Sequence, residues 1–548
     1  MSFPTVDEFI QDSPVATNRF RTDRALRQTL ERILGPDAFE AASQSLDEMG
    51  QRAVDELIEL QETAESNPPR LVTFDPWGKR VDRIEVDPSW NRLVRIGQEA
   101  GIVATAYEKA FGPASRVVQF GLLHLFMPVS ATADCPLAMT DAAAATLLAT
   151  DHEMAEIYVP RLTARQNAWT SGQWMTEREG GSDVGRTSTV AHQVGEVWEL
   201  HGSKWFTSAT TADMALALAR PEGAPEGSRW LSLFALELRR PDGSWNGIQV
   251  RRLKNKLGTK ALPTAELDLD GTIAIPVGGV GRGVAKVATM LNITRLHTAC
   301  GANALAGHGL GLARDYARRR EAFGKPLTDL PAHRNWIARI AATYEAGVVL
   351  VARAAELLGH TESGGDATLT RIIMPLTKLA VARQGVDACS QLIESFGGAG
   401  YVEDTGLPRL LRDAHIQCIW EGTTTIMALD VLRALRKPGV GDAFLADVDA
   451  KARAFDHPLI AGPVDRVLAA IEELRRMIPQ ASDANARRLA WGMARTYQAA
   501  LLCEAGGWAL QRNNDSRSAT AATLHTASPL VGEDPGIDDE RMGALAFE

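Results

Sequence analysis

The spacing of apolar residues changes character twice along this chain, and that change limits the folds open to it. Up to about residue 170 apolar positions recur three and four residues apart, as in Leu26 to Leu34, Ala41 to Leu60 and MTDAAAATLLATDHEMAEIY. That is the spacing of one buried helix face. From 188 to 275 the period shortens toward two, in STVAHQVGEVWELHGSKWFTSAT, MALALAR, WLSLFALEL, IQVRRL and TAELDLDGTIAIPV, with Gly, Pro and Asp turns between. Helical spacing returns near 284. A chain of 548 residues, 45% hydrophobic, is too long for one compact core. The expected architecture is α+β multidomain: an N-terminal extension over 1–75, a helical N-terminal domain over 76–170 and a central antiparallel β domain over 171–282, as barrel or sandwich. A C-terminal four-helix-type bundle over 283–440 and an extra C-terminal helical region over 441–548 complete it.

Local punctuation refines this order. Asn67-Pro68-Pro69 stops any helix. In LVTFDPWGKRVDRIEV the Asp75-Pro76 and Trp77-Gly78 points predict a turn between two short extended pieces. Pro128 and Pro136 should interrupt the helices of 88–165, with Thr140 capping the run that follows. Later helices are expected at 285–319, 328–358, 368–395, 407–416, 423–436, 461–478, 483–511 and 515–526. Repeated Gly at 301, 307, 309 and 311 would permit close packing. The acidic tail GEDPGIDDE is expected to be mobile.

Composition excludes some function classes. Five scattered cysteines, without a CxxC, read as reduced, buried thiols, and no metal site is expected. MSFPTVDEF has no signal-peptide pattern and no apolar run suits a membrane span, so the cytoplasm is the expected location. A formal net charge of −10 does not suit a general polyanion binder.

Several segments carry chemistry: WMTEREGGSDVG (174–185), GSKWFTSA (202–209), RREAFGKPL (319–327), ESFGGAGYVED (394–404) and RDAHIQCIWEGTTTIMALDVLR (412–433). Read alone, Gly180-Gly181 is a tight turn, Trp205 is core packing on a strand, ARRRE is a solvated cluster and Glu421 is a carboxylate near a helix start. GGSDVG precedes β-type sequence rather than opening a helix after a strand, so NAD use is not indicated.

Together, and in this order, these segments resemble the acyl-CoA dehydrogenase family. NPPRLVTFDPWGKRVDRIEVDPSW, CPLAMT and RRLKNKLG resemble its AidB-like branch, named for the adaptive response to DNA alkylation. The resemblance implies FAD held between the β domain, the C-terminal helices and a neighbouring subunit. Met175 and Thr176 would lie beside the isoalloxazine, and Ser182 would meet the pyrophosphate. Trp205 would shield one flavin face, Thr207 would donate toward the ring edge, and Thr423 is also assigned to the cofactor. Arg320 and Phe323 would reach the partner's FAD, and Gly397-Gly398 would pass its adenosine end. Glu394 stands where the family pattern has Gln, which puts one polar contact in doubt.

Glu421 matches the family's catalytic base, which removes a proton α to a thioester while hydride leaves the β carbon for flavin N5. Relatives that place the base on the earlier helix match Thr294-Arg295 here, and threonine cannot serve; Arg295 would support the pocket. His297 reads as a satisfied interface histidine. Trp420 stands where many relatives have tyrosine and is expected to alter acyl selectivity.

Three functions remain open: an FAD-dependent acyl-CoA dehydrogenase of unknown acyl substrate, an AidB-like DNA-associated flavoprotein, or a flavin oxidase such as one acting on nitroalkanes. Nitroalkane-oxidising relatives carry aspartate at the base, so Glu421 argues against that last case. Residues 441–548 carry 11 Lys or Arg against 16 Asp or Glu, which disfavours DNA, although Arg475-Arg476 and Arg487-Arg488 could form a local patch. A homotetramer is expected, with an electron-transfer flavoprotein as acceptor for a dehydrogenase.

Overall fold

The computed structural model describes residues 12–532, 536 and 539–547; the opening MSFPTVDEF and most of the acidic GEDPGIDDE tail lie outside the described residues. The N-terminal part runs α1 (Arg19–Thr22), α2 (Arg24–Asp55), α3 (Leu57–Ser66), β1 (Arg70–Phe74), β2 (Arg80–Glu85), α4 (Pro88–Glu99), α5 (Ala104–Glu108), α6 (Ser115–Phe126), α7 (Asp134–Thr150) and α8 (His152–Leu162). The apolar break between Leu34 and Ala41 is a kink at Gly35-Pro36, where Gly35 has φ 72°. β1 and β2 form the expected antiparallel hairpin around Asp75–Gly78.

Two local expectations fail here. Pro136 does not interrupt a helix; it sits in the first turn of α7, where its missing N–H costs nothing. Thr140 is therefore interior and is not a cap: its hydroxyl donates to the Pro136 carbonyl and accepts from the Ser171 amide. The long run instead divides at Asp151, whose carboxylate accepts from the Met154 amide and caps α8.

The middle unit holds β3 (Ser171–Trp174), β4 (Val190–Val194), β5 (Val197–Ser208), β6 (Met214–Pro221), β7 (Ser232–Glu237), β8 (Ile248–Leu253) and β9 (Thr264–Pro276). The pairings β6–β4–β5–β9–β7–β6 close a ring, with β3 added on β6 and β8 on β9. The sheet is mixed rather than purely antiparallel, because β3 and β4 both run parallel to β6. The long connection from β3, through the β4–β5 hairpin, allows that direction, which adjacent strands joined by a tight turn could not take. Trp174, Phe234, Val250 and Leu267 fill the interior.

Helices then resume: α9 (Gly283–Arg319), a small hairpin of β10 (Glu321–Ala322) and β11 (Lys325–Pro326), α10 (Pro331–Glu362), α11 (Thr368–Ser395), α12 (Leu407–Gln417) and α13 (Thr424–Leu435). The extra region adds α14 (Val440–Ala452), α15 (Pro458–Met477), α16 (Ala486–Asn513), α17 (Arg517–His525) and α18 (Asp539–Phe547). The apolar cluster running from α2 through α9–α13 to α16 is continuous. On α9, a Cβ at Gly307 would come within 2.3 Å of Arg19 Nη2 and 2.6 Å of the Tyr344 ring, so glycine is required there. All five cysteines are free thiols, four of them buried and Cys418 half-buried. Among the described residues, no helix is long and apolar enough to cross a membrane.

Candidate active site

Glu421 lies in the turn joining α12 to α13, and the backbone there is unusual. Glu421 has φ 57° and Gly422 φ 100°. A left-handed non-glycine residue costs roughly 1–2 kcal/mol, so its surroundings must hold it. Glycine is needed next to it, because a φ of 100° is a conformation that residues with a Cβ rarely adopt.

The carboxylate does not cap α13. Its Oε2 accepts a hydrogen bond from Thr294 Oγ1 of α9 at 2.6 Å. Gln173, on β3, is close enough to favour the Glu421 ion as well. Burial pushes the Glu421 carboxyl above the ordinary carboxylate range, against Thr294, Arg295, Lys378 and Gln173, which all favour the ion. Arg295 is occupied elsewhere, 2.7 Å from Asp430, which Arg371 also engages at 2.9 Å. Arg295 thus lies near Glu421 while its ion pair is made with Asp430. Trp420 is half-buried, and its Nε1 donates to Gln417 Oε1 at 3.0 Å.

The segment 174–189 approaches this turn from the β domain. Met175 and Thr176 are half-buried, and the Trp205 amide donates to the Thr176 carbonyl at 3.0 Å, which ties this segment to β5. Beneath it lies a feature absent from the sequence reading. Glu177 and Lys204 form a fully buried ion pair at 2.6 Å. Glu177 also accepts from the Ser188 amide and hydroxyl and from Thr189 Oγ1. Burial is outweighed by Lys204 and these donors, so Glu177 is held below the ordinary carboxylate range. A lysine directly before a tryptophan on a strand and a glutamate in a Gly-rich loop were the sequence signal. Gly180 needs its small size, since a Cβ would come within 2.3 Å of the Asp183 carbonyl oxygen.

Trp205 is partly exposed, with Lys254 Nζ 3.6 Å from its ring centroid. Thr207 is fully buried, and its hydroxyl donates to the Ala265 carbonyl at 2.8 Å. Ser182 is exposed. Thr423 is exposed at the N-cap of α13 and makes no side-chain cap bond. His297 is buried and bonded to Asp141 at 3.0 Å, a satisfied histidine at one ring nitrogen.

Arg320, Phe323, Gly397 and Gly398 form a second, separate group. Tyr316 and Phe396 rings lie 5.0 Å apart, which brings the ends of α9 and α11 together. From Thr294 to Arg320 the helix rises roughly 39 Å at 1.5 Å per residue, so one protomer cannot bring both groups to one flavin ring. Phe323, at φ 53° on the β10–β11 tip, is 95% exposed. Gly397 and Gly398 face open space.

A cleft of about 600 Å³ opens at the start of α9, lined by Ser228, Arg229, Trp230 and Val280 to Arg282, with Val284 and Ala285. Arg220 braces it by donating to the Gly185 and Gly227 carbonyls.

Family models match the chain in three consecutive pieces: the adaptive response protein AidB N-terminal domain over 12–167, the acyl-CoA dehydrogenase middle domain over 172–272 and its C-terminal domain over 281–436. Acyl-CoA dehydrogenase family member 11 of Caenorhabditis elegans is 40% identical over 97% of this chain and 90% of that protein. This chain belongs to the acyl-CoA dehydrogenase family. The crystal structure of Caenorhabditis elegans ACDH-11 in complex with C11-CoA matches with a TM-score of 0.94 at 39% identity, covering 100% of this chain and 97% of that one. The AidB protein of Escherichia coli (strain K12) is 31% identical over 73% of this chain and 76% of its own length. The expected AidB-like branch is therefore not the better supported one; what holds is the acyl-CoA dehydrogenase family, an oxidoreductase scaffold with matches to both branches.

Proposed function

We propose that this protein is an FAD-dependent acyl-CoA dehydrogenase in which Glu421 is the base. The observation that carries the reading is the Glu421 turn. A carboxylate is held left-handed, bonded to Thr294, with its proton affinity raised by burial, as a base working near neutral pH requires. The residues present fit FAD: an open glycine pair at 397–398, a partly exposed Trp205 ring, Gln173 with its Oε1 buried and unpartnered beside the base, and exposed Ser182. Met175, Thr176, Ser182, Trp205 and Thr423 would hold it from one protomer, with Arg320, Phe323, Gly397 and Gly398 of a neighbour. The Thr207 backbone would take part rather than its hydroxyl. The bound flavin would accept the hydride.

Glu421 takes the proton from the carbon α to the thioester, and Arg295 with Asp430 keeps the wall behind it fixed. Trp420 lines the acyl pocket. The carrier is CoA in this reading, because the cleft at the start of α9 offers Arg229 and Arg282 for phosphates and the exposed Trp230 ring for a base. It lies roughly 18 Å along α9 from Thr294, a span for an extended pantetheine arm. The C11-CoA bound by the ACDH-11 relative suggests medium-length acyl chains. A homotetramer in the cytoplasm, passing electrons to an electron-transfer flavoprotein, completes the proposal.

The test is anaerobic titration of the flavin spectrum with straight-chain acyl-CoAs. Wild type should bleach, and Glu421→Gln should retain FAD while its bleaching slows by about 10³-fold or more. Unchanged bleaching in that variant would remove Glu421 from the chemistry.

A further inference from the structure

Lys378 sits midway along α11, 1% exposed, among Ile373, Met374, Leu379 and Ala380. A buried ammonium in such a setting is costly unless it is paired or hydrogen-bonded. Among the described residues it forms no salt bridge with a carboxylate. Its Nζ donates to the carbonyl oxygen of Gly422, the residue after the base. The turn is thus gripped from two helices: α9 holds the Glu421 carboxylate through Thr294, and α11 holds the adjoining peptide through Lys378.

We propose that Lys378 is a positioning residue for the reaction: by binding the Gly422 carbonyl it locks the left-handed turn that presents Glu421 to the substrate, and it places a positive charge behind the carboxylate. This rests on the reading of Glu421 as the base. The groups facing the pair come from each element packed on the turn. They are Gln173 from β3, Thr294 and Arg295 from α9, Cys418 at the end of α12, and Cys135 of α7, whose thiol feels the Glu421 charge. Arg295 is paired with Asp430, which also binds Arg371, yet its charge still reaches Glu421, ahead of that of Lys378, and opposes the charge on Lys378. Lys378 is the cation at the turn whose acidic neighbours are Glu421 and the Cys418 thiol. Burial lowers the Lys378 ammonium to about 8, against the pull of Cys418 and Glu421, so it remains charged at neutral pH.

Loss of that charge would make the Glu421 carboxylate easier to protonate. The acid limb of the reaction, below which the base is protonated, would move to higher pH. The experiment follows flavin bleaching by an eleven-carbon acyl-CoA from about pH 6 to about pH 9 in holoenzyme matched for FAD content. Wild type, Lys378→Met, Lys378→Arg and Glu421→Gln are compared. Lys378→Met should bleach about tenfold more slowly near the acid end, with its acid limb about one pH unit higher. Lys378→Arg should keep the limb in place. If Lys378→Met does not hold FAD, Lys378→Gln, which keeps a donor without the charge, gives the same reading. An unmoved limb in the uncharged variant, or an equal shift in Lys378→Arg, overturns the role of Lys378 alone, provided Glu421→Gln is silent. Bleaching that persists in Glu421→Gln removes the base itself and this inference with it.

Discussion

At the scale of single residues, Thr294 acquired a role its identity had seemed to deny it. Threonine cannot be a base, yet its hydroxyl is the donor that steadies the carboxylate of Glu421 at 2.6 Å. A hydrogen bond to the charged form favours that form. Removing it in Thr294→Val should raise the Glu421 pKa, so fewer bases are ionised at low pH. The acid limb of flavin bleaching should move up by about one unit, with rates falling about tenfold on the acid side and little above neutrality. A pH-independent loss would instead mean that Thr294 only fills space. Thr207 shows what strand register adds. Its place in the tryptophan-x-threonine element was legible, but β5–β9 pairing gives its hydroxyl to Ala265, which only the register decides.

At the scale of elements, the Gly-rich segment 174–189 depends on one buried pair. Lys204 on β5 reaches Glu177 and the Leu218 carbonyl, joining the segment to β6. Replacing Lys204 by Met would strand Glu177 without its cation. Breaking a buried pair on one side costs about 3–5 kcal/mol. The expected result is a lower midpoint in thermal melts together with weaker FAD retention, because the segment proposed to hold the cofactor loses its anchor. A melt unchanged from wild type would show that the hydroxyl and amide donors suffice. The helices themselves were readable: 368–395 is α11, residue for residue, because a long apolar run there is bounded by Gly364-Gly365 before it and Gly397-Gly398 after it. The division of the α7–α8 run at Asp151 was not, since Asp at a helix interior and Asp at an N-cap look alike until the backbone turns.

At the scale of the whole molecule, charge ties the extra C-terminal region to the N-terminal helices. Arg32 meets Glu504 at 2.6 Å, Arg512 meets Glu31 at 2.8 Å and Arg24 meets Asp515 at 2.5 Å. The buried partner is Glu345 of α10, bound by Arg517 and by the Ser518 hydroxyl. Burial raises the Glu345 carboxyl, with Arg517 and Ser518 opposing. Arg517→Met should cost about 2 kcal/mol and loosen α17. Trypsin should then cleave faster after the exposed Arg436, releasing the C-terminal region; a cleavage rate equal to wild type would show that apolar packing alone holds it. The arginine pairs singled out for a basic patch are partly spent within the fold, since Arg475 pairs with Glu472 and Arg487 reaches Thr425.

The sequence by itself determined the order of helical and β units, the span of most helices and the residue types of the site, because burial on one face leaves a periodicity and turn chemistry leaves Gly, Pro and Asp at fixed places. Family motifs singled out Glu421 and the segments proposed to hold the cofactor for the same reason: local chemistry needs local spacing. Tertiary structure alone decided what meets across the chain. It closed the ring of strands through the parallel β4–β6 pairing and added β3 parallel to β6 outside it. It brought Thr294, Gln173 and Lys378 to one turn, and buried Glu177 against Lys204. These are contacts between distant residues, set by packing and desolvation, and no local pattern along a single chain encodes them.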